Sequence, residues 1–166
     1  MQNEQVFNTI YEQHYNKVYR LCKGYFNGNE AIANDATQET FIKVYENRKN
    51  FKGENFTAWL FTIARHTCLN QLRGKKEHEC FDEVYHGSMK APETDIGMKK
   101  FIDEAISMLP ISLREALLLR EYEECSYQEI ADILAIDVSL AKVRVHRARV
   151  LLRKLLTPLM KEINES

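Results

Sequence analysis

Six cations, Lys142, Arg144, Arg147, Arg149, Arg153 and Lys154, fall between residues 139 and 154 without a single acid. A helix of that composition neutralises phosphates, and side chains in its first two turns reach base edges if it enters a major groove. The residues before it supply the other half of such a reader. Tyr127 to Leu134 read as a short helix burying Ile130, Ala131 and Leu134; Ala135, Ile136 and Asp137 read as a turn, with Asp137 placed to cap a helix that starts at Val138. Val138, Ala141, Val145, Ala148, Leu152 and Leu155 then recur at three-and-four spacing as one inward stripe. Ser139, Leu140, Val143, Arg144 and Arg147 fall roughly opposite it, with Lys142, His146 and Arg149 on a flank. The pattern is a helix-turn-helix; the plainer reading is a solvated basic helix packed on its own domain.

A second group of chemistry-bearing residues lies at 48–76. Phe51, Phe56, Trp59 and Phe61 interleave with Arg48, Lys49, Lys52 and Arg65, and Asn70, Arg73, Lys75 and Lys76 follow. Unpaired bases stack on aromatic faces while nearby cations hold the backbone. Trp59, spaced with Ile63, suits a core position, whereas Phe51 sits in a polar loop beside Lys52 and Gly53, where burial is harder. Other chemistry finds no footing: there is no glycine-rich phosphate loop, no H-E-x-x-H, no G-x-S-x-G and no paired acids off helix surfaces. His78, Cys80 and His86 lack the spacing of a tetrahedral metal set, so no cofactor, metal or catalytic residue is expected.

The elements that must position these groups are helical. Apolar residues recur at helical spacing nearly throughout, and no stretch alternates as a strand does, so the fold class is all-α. Val6, Phe7, Ile10, Tyr11, Val18, Leu21, Cys22 and Tyr25 trace a first helix, stopped at Asn27-Gly28-Asn29. Asn29 then caps a second helix through Ala33, Ala36, Phe41, Val44 and Tyr45. A polar loop at 47–55 leads to a third helix that buries Trp59, Leu60, Ile63, Ala64 and Leu72. Residues 77–96, with Gly87, Ser88 and Pro92, lack periodicity and read as a flexible linker. Beyond it, Met98 to Leu109 mark a helix stopped by Pro110, and Ser112-x-x-Glu115 and Ser126-x-x-Glu129 are two capping boxes.

The 166 residues therefore divide into two small helical domains, 1–76 and 97–166, joined by the linker. The formal net charge of −1 conceals a pattern: residues 1–59 are balanced, 60–76 carry +4, 77–138 carry −10 and 139–166 carry +5. Four scattered cysteines, with no C-x-x-C pair, read as reduced thiols, and there is neither a leader-like N-terminus nor a long apolar run. A cytoplasmic monomer with no membrane insertion is expected.

Asp35 to Phe41, then Phe56 to His66 with Leu69 to Arg73, and finally the helix-turn-helix at 127–149, together resemble bacterial RNA polymerase sigma factors of the extracytoplasmic-function (ECF) group. The resemblance covers about Tyr11 to Leu155. It implies an alternative sigma factor with region two at 1–76, a linker at 77–96 and region four at 97–166. It also implies RNA polymerase core, promoter DNA and an anti-sigma protein as partners, and no covalent chemistry by the chain. By the same resemblance, Asp35, Gln38, Glu39 and Phe41 dock on the β′ clamp helices. Phe51, Lys52, Asn55, Phe56, Arg65, His66, Asn70 and Arg73 handle the minus-ten element, the 48–56 loop capturing a flipped base. Region four sits on the β flap, with Ser139, Leu140, Lys142, Val143, Arg144, His146 and Arg147 reading the minus-thirty-five element. The acidic linker either threads toward the polymerase active centre or is a plain tether. The chain departs from the family in having Ala135 where a turn glycine is frequent, Ser139-Leu140 where a Gly-Thr pair often opens the recognition helix, and Val143 for a frequent Ser, which exchanges a hydroxyl for an apolar contact suited to a thymine methyl. A free-standing helix-turn-helix regulator, with the N-terminal half serving dimerisation or signalling, is the alternative.

Overall fold

The computed structural model describes residues 2–76, 95–158 and 161, and among them all regular structure is helical. Helices α1 (Gln2–Tyr25), α2 (Glu30–Glu46) and α3 (Phe56–Lys76) form the first half. Helices α4 (Asp95–Ser107), α5 (Ile111–Glu121), α6 (Tyr127–Leu134) and α7 (Val138–Leu155) form the second. Local chemistry explains most boundaries. Asn27 and Gly28 take positive φ after α1, and Asn29 Oδ1 accepts from the Ile32 amide at 3.2 Å to open α2. Asn55 Oδ1 does the same for α3, accepting from the Ala58 amide at 3.1 Å.

In the first half, Val18, Leu21, Cys22, Phe41, Leu60, Phe61 and Ala64 are buried between the three helices. Thr37 and Thr40 are fully buried, and each turns its hydroxyl back onto a carbonyl one turn earlier at 2.7 Å, so no donor is orphaned there. In the second half, Ile130, Ile133 and Leu134 of α6 meet Ala141 and Val145 of α7, and Leu109, Leu117 and Ala148 close the far end. The inward stripe of α7 stands as the spacing demands, with Ala141, Val145 and Ala148 buried.

Two capping expectations meet different fates. Ser126 and Glu129 form the full reciprocal box at the start of α6. Ser112 does not: the N-cap of α5 is Pro110, two residues earlier, and Glu115 faces the other half of the molecule instead of its own helix terminus. A buried cationic and phenolic pair outcompetes a local cap for that carboxylate. Asp137 occupies the N-cap position of α7 in extended conformation, yet its side chain makes no capping bond.

Arg114 supplies what Pro110 cannot. Its guanidinium donates to the carbonyls of Ser107 (2.5 Å) and Leu109 (3.0 Å), satisfying the end of α4, and to that of Gly24 (3.2 Å) in α1. The two halves are in contact, and one hydrophobic core runs from α1–α3 into α5–α7. At Gly24 the approach is so close that an added Cβ would lie 2.2 Å from a methyl of Leu118.

Ala135, the residue that replaces the turn glycine, adopts φ 54°, ψ 49° between α6 and α7. That left-handed conformation strains a residue with a Cβ by about 1 kcal/mol or more, while glycine loses part of the gain through unfolded-state entropy. Ala135→Gly is expected to stabilise the protein by about 0.5–1 kcal/mol, read as a higher thermal midpoint; a lower midpoint would contradict the strain.

Candidate nucleic-acid and partner interfaces

Three surfaces collect the residues singled out from the sequence. The first is the outer face of α7. Ser139, Leu140, Lys142, Val143, His146 and Arg147 are exposed and Arg144 is half-buried. Leu140 and Val143 are apolar yet 38% and 39% exposed, which suits contact with something other than water. Arg149, by contrast, is held in an ion pair with Glu121 of α5. Behind the helix start, the Arg120 guanidinium lies 4.2 Å from the ring centre of Tyr127 and the Lys142 ammonium 5.7 Å, fixing the approach of α6 to α7.

The second surface surrounds the loop at 51–55. Phe51 is half-buried, edge-on to Phe56 at 5.4 Å and tilted against Trp59 at 5.2 Å, with His14 packed on Phe56 at 5.3 Å. Trp59 is thus half-exposed at the rim of the aromatic group instead of sealed in the core. Burial and Lys17 hold His14 below the ordinary imidazole value, so it packs as a neutral ring at neutral pH. Phe51, Lys52, Glu54, Asn55, Ala58 and Trp59 line an open cleft of about 260 Å³, and Asp132 from α6 completes the wall. The space suits a single planar ring better than an ordinary small-molecule ligand.

Along α3, His66, Asn70 and Arg73 are exposed at helical spacing and form one polar stripe. Arg65 lies elsewhere: its guanidinium grips Glu115 of α5 through two bonds, 2.9 and 3.2 Å, and the same carboxylate accepts the Tyr25 hydroxyl at 2.5 Å. Glu115 is only 2% exposed. Burial first, then the Glu115 charge, pushes the Tyr25 phenol well above its ordinary value, so it remains a donor at any physiological pH.

The third surface is a groove of about 720 Å³ between α1 and α2, lined by Glu4, Phe7, Asn8, Tyr11, Gln38, Phe41, Ile42, Tyr45 and Glu46. Phe41 is its floor, 2% exposed and packed on Tyr11 at 4.8 Å; Gln38 lies on the wall and Asp35 is exposed nearby. Glu39 turns away to bond Gln71 at 2.8 Å and Lys43 at 3.1 Å, and the Gln71 bond holds its carboxyl below the usual range. Ile42, 58% exposed, is the groove residue that the sequence reading passed over, since a single apolar residue on a helix carries no local signal.

The family model for Sigma-70 region 2 matches residues 10–78, and that for Sigma-70 region 4 matches 102–152. The chain belongs to the sigma-70 family, in its ECF group. The ECF RNA polymerase sigma-E factor of Haemophilus influenzae is 30% identical over 95% of this chain and 91% of its own length. The RNA polymerase sigma-H factor of Pseudomonas aeruginosa is 36% identical over 78% and 76%. Among solved structures, the sigma factor RpoE of Bartonella quintana, in complex with the anti-sigma factor NepR, superposes with a TM-score of 0.76 at 25% identity, over 92% of this chain and 98% of that one. A free-standing helix-turn-helix regulator leaves the region-two match unexplained. Most of the groove between α1 and α2 and of the aromatic cleft lies within the residues matched to region 2, and most of the exposed basic helix within those matched to region 4.

Three cysteines are described, and all are free and buried. Cys68 donates to Cys22 at 3.4 Å, a pairing the sequence separation of 46 concealed. That bond and burial push the Cys68 thiol up, and burial pushes Cys125 up to about 12, so neither is an activated thiolate. Cys80, His78, His86 and linker residues 77–94 lie outside the described residues, whereas Asp95 and Ile96, expected to be linker, already belong to α4. Among the described residues no group could hold a metal, and no helix is long and apolar enough to cross a membrane.

Removing the buried carboxylate strands a guanidinium and a hydroxyl. Glu115→Ala is expected to cost about 3–5 kcal/mol, measured as a fall in the urea midpoint, whereas a loss below about 1 kcal/mol would show the cluster to be as weak as a surface pair.

Proposed function

We propose that this ECF sigma factor directs core RNA polymerase to specific promoters and aids strand opening, with the chain itself performing no covalent chemistry. The observation that carries the reading is one chain combining an aromatic-lined cleft of single-base size with a helix-turn-helix whose outer face is exposed and free of acid. In this reading 1–76 is region two, 77–94 the linker and 95–166 region four, which starts with α4 two residues before the boundary expected from the sequence, and the protein acts in the cytoplasm.

The groove between α1 and α2, with Asp35, Gln38 and Ile42 exposed and Phe41 as its floor, is the docking surface for polymerase core at the β′ clamp helices; Glu39 acts by orienting Lys43 and Gln71. Region four engages the β flap. Ser139, Leu140, Lys142, Val143, Arg144, His146 and Arg147 read the minus-thirty-five element in the major groove, where the Val143 methyls suit a thymine methyl. Phe51 and Trp59, with Phe56 packed against both, offer stacking faces to a base flipped from the minus-ten element, Lys52 and Asn55 meet its backbone, and His66, Asn70 and Arg73 follow the strand. Extruding a base costs a few kcal/mol, which stacking and charge contacts offset without any reacting group. An anti-sigma protein is the expected regulator, supported by the likeness to RpoE of Bartonella quintana, solved with one.

Phe51→Ala is expected to reduce open-complex formation by about ten-fold, since one stacked base contributes about 1–3 kcal/mol, while binding to core polymerase is unchanged. Permanganate reactivity of unpaired thymines and a pull-down on core separate the two steps, and equal loss in both would refute the capture role. Arg147→Ala is expected to weaken the closed promoter complex and to lower the slope of log affinity against log salt by about 1; an unchanged slope would remove Arg147 from the interface.

A further inference from the structure

Cys22 of α1 and Cys68 of α3 serve none of the surfaces described above: neither lines the groove, the aromatic cleft or the outer face of α7. Both are 0% exposed, and their sulfurs lie 3.4 Å apart although 46 positions separate them in the chain. A buried cysteine packs like any small apolar residue, so what distinguishes this contact is the chemistry open to two adjacent sulfurs. A disulfide has a sulfur separation of about 2.05 Å, so closing the bond needs an approach of about 1.4 Å. Side-chain rotation and a small shift of α1 toward α3 supply that without unfolding either helix. The two thiols are not equivalent. The Cys68 thiol donates to Cys22 and so holds the Cys22 thiol below its ordinary value, while burial opposes it. The same bond and burial push Cys68 up. Cys22 is thus the better nucleophile, and Cys68 is the neighbour placed to resolve what forms on it.

We propose that Cys22 and Cys68 form a hydroperoxide-responsive dithiol that closes to a disulfide joining α1 to α3. In the first step the Cys22 sulfur attacks one oxygen of hydrogen peroxide. The O–O bond breaks, Cys22 becomes a sulfenic acid, and the other oxygen leaves as water with the thiol proton. In the second step the Cys68 sulfur attacks the sulfenic sulfur, the S–O bond breaks, and the hydroxyl leaves as water with the Cys68 proton. Two thiols and one peroxide thus give one disulfide and two waters, with two electrons passing from the sulfurs to the peroxide. Because both sulfurs are buried, the oxidant enters only through local opening of the α1–α3 contact, so the reduced pair is the resting state and closure is slow. Once formed, the bond restrains the unfolded chain across 46 positions, and the three-helix half comes apart less readily.

The test exposes the whole chain to hydrogen peroxide, blocks remaining thiols with N-ethylmaleimide in denaturant, and maps tryptic peptides by mass spectrometry without reduction. Peptide 21–23 is expected to be joined to peptide 66–73, two hydrogens lighter than the separate thiols, and dithiothreitol is expected to part them. The thermal midpoint of the treated chain is expected to exceed that of the same sample after dithiothreitol by about 5–10 °C; methionine oxidation is common to both samples and cancels. Single variants assign the order of attack. Cys68→Ala strands the first intermediate and is expected to carry a dimedone-reactive sulfenic acid on Cys22, whereas Cys22→Ala is expected to carry none on Cys68. Should either variant fail to fold, the comparison within the wild-type chain still decides. Both thiols still blocked by maleimide after peroxide, or Cys22 joined to Cys80 or Cys125 instead, would overturn the proposal. So would a joined chain whose midpoint does not rise, because the bond would then strain the core instead of holding it.

Discussion

The Glu115 carboxylate, buried between Tyr25 of α1 and Arg65 of α3, is the interaction on which the arrangement of the molecule depends. It sits on α5, in region four, and both of its partners sit in region two. A carboxylate withdrawn from water is tolerable only with its charge matched and its oxygens bonded, and two guanidinium nitrogens and a phenol meet that demand. The cost of leaving any of them unpaired fixes α5 against α1 and α3. From that fixed point Leu118 packs over Gly24, Arg114 reaches the Gly24 carbonyl, and α6 is carried onto the loop at 51–55.

The distribution of charge along the chain takes on a structural meaning here. A net charge of −1 is the sum of basic segments at 60–76 and 139–166 and an acidic one at 77–138. Three of the acids in that middle segment, Glu115, Glu123 and Glu129, bond Arg65, Arg20 and Asn55 of the other half. The acidity acts inside the molecule as well as toward solvent. The cations of α7 have no such counterweight along most of their face, Arg149 with Glu121 excepted, which leaves that helix free to meet a polyanion.

What was legible in the sequence was local. The bounds of α6 and the start of α7 follow from a capping box and a three-and-four stripe, and Asn29 announces itself before α2, because these signals lie within a few residues of the structure they make. The exposed face of α7 was legible for the same reason. Glu115 shows the limit. Its spacing from Ser112 is that of a capping box, but its partners lie 50 and 90 residues away, and sequence spacing carries no information about which distant cation a carboxylate will find. Arg65 reads as one more base-contacting cation in a basic segment, and its engagement across the two regions becomes visible only when α5 is in place. Phe41 reads as part of a docking helix, and only packing against Tyr11 and Tyr15 reveals that it forms the groove's floor.

The proposed function requires two DNA-reading faces that serve a polymerase and have no use alone. Transcription by core RNA polymerase on fragmented genomic DNA, with and without the purified protein, tests this most directly. The account predicts new transcripts that depend on the protein and whose start sites share a two-part upstream element. Absence of any protein-dependent start site, together with tight binding of the protein alone to a palindromic duplex, would contradict it.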